Sequence, residues 1–252
     1  MAEKEFIKLW RDEYKVHSYE ADYRGNATMQ ILCQFMQESA WNHAEHLEVG
    51  YSHLIEKNLI WILSRQSVKI QTYPKWGDKI KIFTWPSDMD RIFCYRDFKI
   101  FDANDTVIGT ATTTWFVIDL QRRRPQRADS YINLDVEGDV ERVFPEFSPK
   151  LGPLESVNTS NKIIASYSDL DVNNHVNNVK YLEYIMNSLP FDFVTSHQLK
   201  QLDINYLNEA HHQNEITVKT ENKESLKFMH SLNRETDNTE LCRARTVWEE
   251  SK

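Results

Sequence analysis

Glycine and proline are scarce, at 6 and 7 among 252 residues, which excludes collagen-like and low-complexity chains. Cysteine is scarcer still: Cys33, Cys94 and Cys242 stand far apart and are odd in number. They form no Cys-x-x-Cys or Cys/His metal spacing, and they suit a reducing compartment, so a cytoplasmic protein is expected. Long apolar runs are missing, and the run 1–15 is charged, so neither a signal peptide nor a transmembrane helix is expected. Positive charge is short as well: the formal net charge is −8. That excludes general nucleic-acid affinity, which needs a phosphate-neutralising surface. Gly-x-Ser-x-Gly, Walker A and Gly-x-Gly-x-x-Gly patterns are all lacking. What the chain does have is apolar content, 40% of residues with 12% aromatic, enough to bury one large core or two smaller ones.

That content is organised by an internal repeat. Ser18-Tyr19-Glu20-Ala21-Asp22-Tyr23-Arg24-Gly25-Asn26-Ala27 aligns with Tyr167-Ser168-Asp169-Leu170-Asp171-Val172-Asn173-Asn174-His175-Val176. Asp22 falls on Asp171 and Asn26 on His175. A strand-like run precedes each segment, Lys15-Val16-His17 and Lys162-Ile163-Ile164-Ala165, and a helix-like run follows. Met29, Leu32, Phe35, Met36 and Ala40 predict a helix over 28–47. Val179, Leu182, Ile185, Met186 and Leu189 predict one over 178–189, which Pro190 stops.

Strand signals follow each helix: 60–70, 79–85, 91–101 and 107–119 in the first half, then 197–206, 215–220, 225–234 and 241–248 in the second. Ala103-Asn104-Asp105 and Thr236-Asp237-Asn238 supply matching hairpin turns. Each half therefore reads as an antiparallel sheet with one long helix whose apolar stripe must be buried against it. This is an α+β chain of two tandem hotdog domains, each a sheet wrapped around a long central helix. The expected domains are 1–140 and 141–252, with the linker inside 129–158, where Pro145, Pro149, Gly152 and Pro153 punctuate poor periodicity.

The densest polar segment is Asp171-Val172-Asn173-Asn174-His175-Val176-Asn177-Asn178-Val179-Lys180-Tyr181. Capping the following helix would use one or two of these residues. Four asparagines, an aspartate and a histidine exceed that need. A helix start offers unpaired N–H groups and a favourable dipole, so side chains just before it can hold water and substrate beside an oxyanion. Glu209, after the strand-like Leu202 to Tyr206, is a second candidate, although periodicity alone reads it as a loop carboxylate. In the first copy Lys75 falls near the Glu209 position, so that copy lacks the acid. His43-Ala44-Glu45-His46 reads as a surface helix, not a metal site, and His211-His212 as a loop pair. Cys242 reads as core. Arg122, Arg123, Arg124 and Arg127 form a local basic run, read either as a solvated turn or as a docking spot for an acidic partner.

The segment from Asp171 to Tyr181 resembles the Asp-x-Asn-x-His-Val-Asn-Asn-x-x-Tyr signature of plant and bacterial acyl-ACP thioesterases. Tyr73-Pro74-Lys75-Trp76, Thr84-Trp85, Arg96-Asp97-Phe98, Gly109-Thr110-Ala111-Thr112-Thr113-Thr114-Trp115 and Arg122-Arg123 resemble further family segments. The resemblance implies an acyl-[acyl-carrier-protein] hydrolase without cofactor or metal, with catalytic roles for Asp171, Asn173, His175 and Glu209. Glu209 would be the general base for water. His175 and Asn173 would position the thioester, and Asp171 would orient them or itself be the nucleophile. Family members often carry a cysteine after that glutamate; Ala210 stands there, which excludes a cysteine nucleophile at that position. By the same analogy the acyl chain lies in the first domain, near Met29, Leu32, Met36, Trp61, Leu63 and Trp115. The expected partner is an acyl carrier protein, with no nucleic acid and no membrane, and a homodimer is left open. The rival readings are an acyl-CoA thioesterase and a non-catalytic acyl-binding module.

Overall fold

The stripe Met29, Leu32, Cys33, Met36 and Ala40 is buried along one face of α1 (Met29–His46). Thr28 caps that helix, its hydroxyl accepting the Ile31 amide at 3.3 Å. In the computed structural model, which describes residues 7–132 and 142–251, β1 (Trp10–Lys15) precedes α1. After it come α2 (Tyr51–Ile55), β2 (Leu59–Ile70), β3 (Lys79–Met89), β4 (Phe93–Phe101), β5 (Val107–Asp119) and the short β6 (Arg124–Pro125). The second half repeats the order with β7 (Thr159–Ile164), α3 (Asn178–Ser188), α4 (Phe191–Ser196), β8 (His197–Tyr206), β9 (Glu215–Glu224), β10 (Lys227–Arg234) and β11 (Glu240–Glu250). The expected boundary at 140/141, the 133–141 part of the expected linker, and residues 1–6 of the N-terminal run lie outside the described residues.

The chain divides into two compact units, Met1–Ser64 with Ile70–Ser148 and Arg65–Lys69 with Pro149–Lys252. In the first, strands run in the order β1-β3-β4-β5-β2, with β6 beside β5. In the second the order is β7-β9-β10-β11-β8, and Arg65–Lys69 pair antiparallel with β8. The two orders are the same permutation of chain order. In the first unit α1 lies against β1 and β3; in the second α3 lies against β7 and β9. Each unit is a hotdog domain, an antiparallel sheet around a central helix, and the chain is α+β.

Three elements differ from expectation. The first strand lies upstream of the run 15–17: Val16 pairs locally with Gly77 and Asp78, and His17 caps a 3-10 turn. β3 continues through Pro86 to Met89, because a register shift between Pro86 and Asp88 absorbs the missing N–H. β9 continues to Glu224, where Ser225 and Leu226 turn it tightly into β10, Leu226 adopting φ +62°. His43 is also a correction. It faces inward and is fully buried, stacked on Trp10 at 5.6 Å. Its Nδ1 accepts from Arg96 at 3.0 Å and its Nε2 donates to the Ile7 carbonyl at 2.7 Å, which holds it neutral. Burial and the Arg96 charge lower its pKa to about 3. All three cysteines are buried and outside any disulfide.

Candidate active site

The aspartate that opens each repeat builds the same turn in both units. Asp171 Oδ1 accepts the amides of Asn173 at 2.8 Å and His175 at 3.2 Å, and its own amide donates to the His175 carbonyl at 2.8 Å. In the first unit Asp22 Oδ1 accepts the amides of Arg24 at 2.9 Å and Asn26 at 3.0 Å. The tip of each turn is left-handed, Asn174 at φ +62° and Gly25 at φ +79°, a conformation these residue types tolerate. Upstream, buried Asp169 accepts the Ser166 amide at 2.8 Å and the Tyr184 hydroxyl at 2.8 Å and pairs with Lys180. Downstream, Asn177 caps α3: its Oδ1 accepts the Val179 amide at 3.0 Å and its carbonyl the Lys180 amide at 2.9 Å. The amide of Asn178, the first helical residue, has no intrahelical acceptor.

The second loop, 207–214, carries Glu209 from β8 toward β9. The Val176 amide donates to the Ala210 carbonyl at 2.8 Å, as the Ala27 amide does to the Pro74 carbonyl at 2.8 Å. The amides of Leu207 and Asn208 share the Leu241 carbonyl, as those of Gln71 and Thr72 share that of Ile108. This register makes Pro74 the counterpart of Ala210 and Tyr73 the counterpart of Glu209. The expectation that Lys75 falls near Glu209 is therefore corrected. Lys75 matches His211, each donating its amide to the side chain three residues on, Asp78 or Asn214. A buried phenol occupies the acid's place, its pKa raised by burial.

Around Glu209 the groups converge. His175 Nε2 lies 3.3 Å from Glu209 Oε2, with side chains 24% and 37% exposed, so water reaches the pair. The exposed His211 ring stands edge-on to His175 at 5.0 Å between centroids. Tyr181 brackets the glutamate: its hydroxyl accepts the Ala210 amide at 3.1 Å and donates to the Asn208 carbonyl at 3.5 Å. Burial keeps that phenol well above its ordinary range and so protonated. Arg234 Nη1 donates to the Glu209 carbonyl at 3.1 Å, and its Nε and Nη2 fork onto Asp237 at 3.0 and 2.7 Å. Asn173 is exposed, two residues before His175 in the turn, its amide held by Asp171. Sequence reasoning missed His211, Tyr181 as a clamp, and Arg234. A histidine two residues after the glutamate and the motif's terminal tyrosine were the available signals.

The other expected positions lie in the first unit. Met29, Leu32, Met36 and Leu63 are buried, while Trp61 and Trp115 are half-buried. Trp61 packs on the cluster of Val49, Leu54, Leu59, Cys94, Val117, Ala128 and Ile132, and donates its Nε1–H to the Val49 carbonyl at 2.8 Å. Arg122 and Arg123, on the turn from β5 to β6, and Arg124, which opens β6, are exposed; Asp119 Oδ1 accepts the Gln121 and Arg122 amides, both at 2.9 Å. Arg127 differs, forking onto Asp129 at 3.0 and 2.7 Å, which offsets its charge.

Two hotdog units in tandem, the second of which brings His175 and Glu209 together at the entrance to α3, define a double-hotdog protein. The family models for the acyl-ACP thioesterase N-terminal and C-terminal domains match residues 8–133 and 154–250. The chain is 30% identical over 287 residues to oleoyl-acyl carrier protein thioesterase 2 of Arabidopsis thaliana, covering 95% of this chain and 76% of the relative. It is also 30% identical over 266 residues to a palmitoyl-acyl carrier protein thioesterase of Gossypium hirsutum, covering 95% and 63%. Both plant relatives are chloroplastic. The fold matches that of an acyl-ACP thioesterase from Bacteroides thetaiotaomicron with a TM-score of 0.85 at 23% identity, over 96% of this chain and 98% of that one. The chain belongs to the acyl-ACP thioesterase family and is a thioester hydrolase.

Proposed function

We propose that this chain hydrolyses the fatty acyl thioester of acyl carrier protein, with Glu209 and His175 as the acting pair. The observation that carries the assignment is their 3.3 Å approach at the entrance to α3, in the one unit where neither is replaced. Glu209 takes a proton from water, which attacks the thioester carbonyl; the C–O bond forms as the carbonyl π pair moves onto oxygen, and collapse of that oxyanion breaks the C–S bond. The proton passes to the departing thiolate, leaving free fatty acid and carrier protein thiol. His175 holds the water and the carbonyl, Asn173 supports the carbonyl, and the Asn178 amide faces the developing oxyanion. Asp171 is assigned an orienting role. Its Oδ1 already serves the Asn173 and His175 amides, which holds the carboxylate in the turn.

We assign acyl-chain binding to the first unit, at Met29, Leu32, Met36, Trp61, Leu63 and Trp115, and catalysis to the second. Carrier protein docking is assigned to Arg122, Arg123 and Arg124, with Arg127 a weaker member because Asp129 offsets it. The relatives named above differ in acyl group, oleoyl and palmitoyl, at the same identity to this chain, so chain length is left to measurement. A cytoplasmic place in fatty acid synthesis fits three cysteines outside any disulfide, and a homodimer is the assembly to seek by sedimentation. The deciding experiment compares hydrolysis of one acyl group carried on acyl carrier protein and on CoA. A higher kcat/KM on the carrier protein is expected. Preference for CoA would make this an acyl-CoA thioesterase, and binding without turnover an acyl-binding module.

A further inference from the structure

We propose that His175, Glu209 and His211 bind a divalent transition-metal ion of the zinc class, and that its occupancy shuts the hydrolytic site. Two imidazoles and one carboxylate are a donor set suited to zinc; magnesium and calcium prefer all-oxygen surroundings. One ligand atom from each of the three side chains lies within 4.8 Å of the others. Bonds of 2.0–2.1 Å in a tetrahedron place ligand atoms about 3.3 Å apart. His175 and Glu209 already stand at 3.3 Å, so closing the site requires movement mainly of His211. That ring is exposed, while its backbone is held by Asn214 at 2.9 Å, so it can swing without unfolding the loop. Arg234, which donates to the Glu209 carbonyl, forks onto Asp237 and so does not present an uncompensated charge.

Two further observations fix stoichiometry and competition. The first unit's counterparts of the three ligands are Asn26, Tyr73 and Lys75, none of them a zinc ligand at neutral pH, so one ion per chain is expected. Among the described residues no second group of three histidine, cysteine or acidic side chains converges, and the three cysteines are buried away from solvent metal. The blocking effect rests on the reading of His175 and Glu209 as the acting pair, since the ion takes the nitrogen and carboxylate that water activation needs.

The test titrates the full chain, stripped with a chelator, with cobalt(II) and follows visible absorption, then displaces cobalt with zinc and measures turnover. One equivalent is expected, with turnover falling in step with occupancy. His211→Ala should weaken binding about tenfold or more and lose the inhibition by metal relative to its own turnover in chelator, while His211→Cys should restore both binding and inhibition. Equal affinity in wild type and His211→Ala overturns the site. Stoichiometric binding that leaves turnover intact keeps the metal site and overturns instead the assignment of His175 and Glu209 to the chemistry.

Discussion

At the scale of single residues, the proposed chemistry depends on how firmly Glu209 is held. Glu209→Gln keeps the shape and removes the base, so kcat should fall by about two to four decades with an unchanged thermal midpoint. Tyr181→Phe is the subtler variant. It strips the hydroxyl that spans the Asn208 carbonyl and Ala210 amide, leaving the buried Ala210 amide unmatched at a cost of about 1–3 kcal/mol. Calorimetry should show that loss, and kcat should fall while KM stays near wild type, because the glutamate loosens and the unit assigned to acyl binding is untouched. An unchanged kcat in a destabilised variant would leave Tyr181 a fold residue only. The histidine motif was legible because its polar density exceeds what capping needs. The partner of Glu209 in the first copy was not. Lys75 looks closest along the chain, but the hydrogen bonds to Ala210 and Pro74 set the match two residues earlier, at Tyr73. Register of this kind lives in backbone pairing, which side-chain patterns do not encode.

At the scale of elements, β10 carries a buried titrating group between two strands. His230 is fully buried, with Nδ1 3.0 Å from the Thr220 hydroxyl of β9 and Nε2 2.9 Å from the Thr246 hydroxyl of β11. Burial lowers its pKa to about 3, the value reached also by His43 on the buried face of α1. The unfolded chain takes up a proton at each of these near pH 6.5, and the folded chain does not. Stability is therefore full above about pH 6.5 and drains as pH falls toward about 3, by about 1.4 kcal/mol per pH unit for each histidine. His230→Gln should flatten the decline of the thermal midpoint between about pH 6.5 and 4 relative to wild type. An identical slope would mean that His230 is protonated in the folded sheet. The elements themselves were legible where apolar and polar residues alternate, as in β5 and β8. They were illegible where a proline or a charged run intervened. Pro86 hid the end of β3. Glu221-Asn222-Lys223-Glu224 hid that of β9, where buried Glu221 accepts the Glu155 amide at 3.1 Å and the Ser156 hydroxyl at 3.1 Å.

For the whole molecule, the repeat supplies its own control. Asp22 and Asp171 make the same two hydrogen bonds to the same two positions, so Asp22→Asn and Asp171→Asn should lower stability by similar amounts, about 1 kcal/mol or less. Only Asp171→Asn should reduce turnover, by roughly a hundredfold, because it alone sets the backbone beneath an acting histidine. Turnover lost in Asp22→Asn and kept in Asp171→Asn would put the chemistry in the other unit. Docking is the second test at this scale. With a net charge of −8, the chain needs a local basic surface to meet an acidic carrier protein. Reversing Arg122, Arg123 and Arg124 to glutamate should raise KM for acyl carrier protein roughly tenfold and leave a small acyl thioester unaffected. Equal losses on both substrates would return the arginines to a solvated turn. Tyr73 finally bears on whether the two halves could ever trade places. Regaining an acid–histidine pair in the first copy takes Asn26→His and Tyr73→Glu together. The second change must bury a carboxylate where a phenol ring now packs, a cost with no return until the first change is also present. Under the proposed assignment the substitution works as a ratchet: it would hold the chemistry in one half of the chain and leave the other to drift with its cargo.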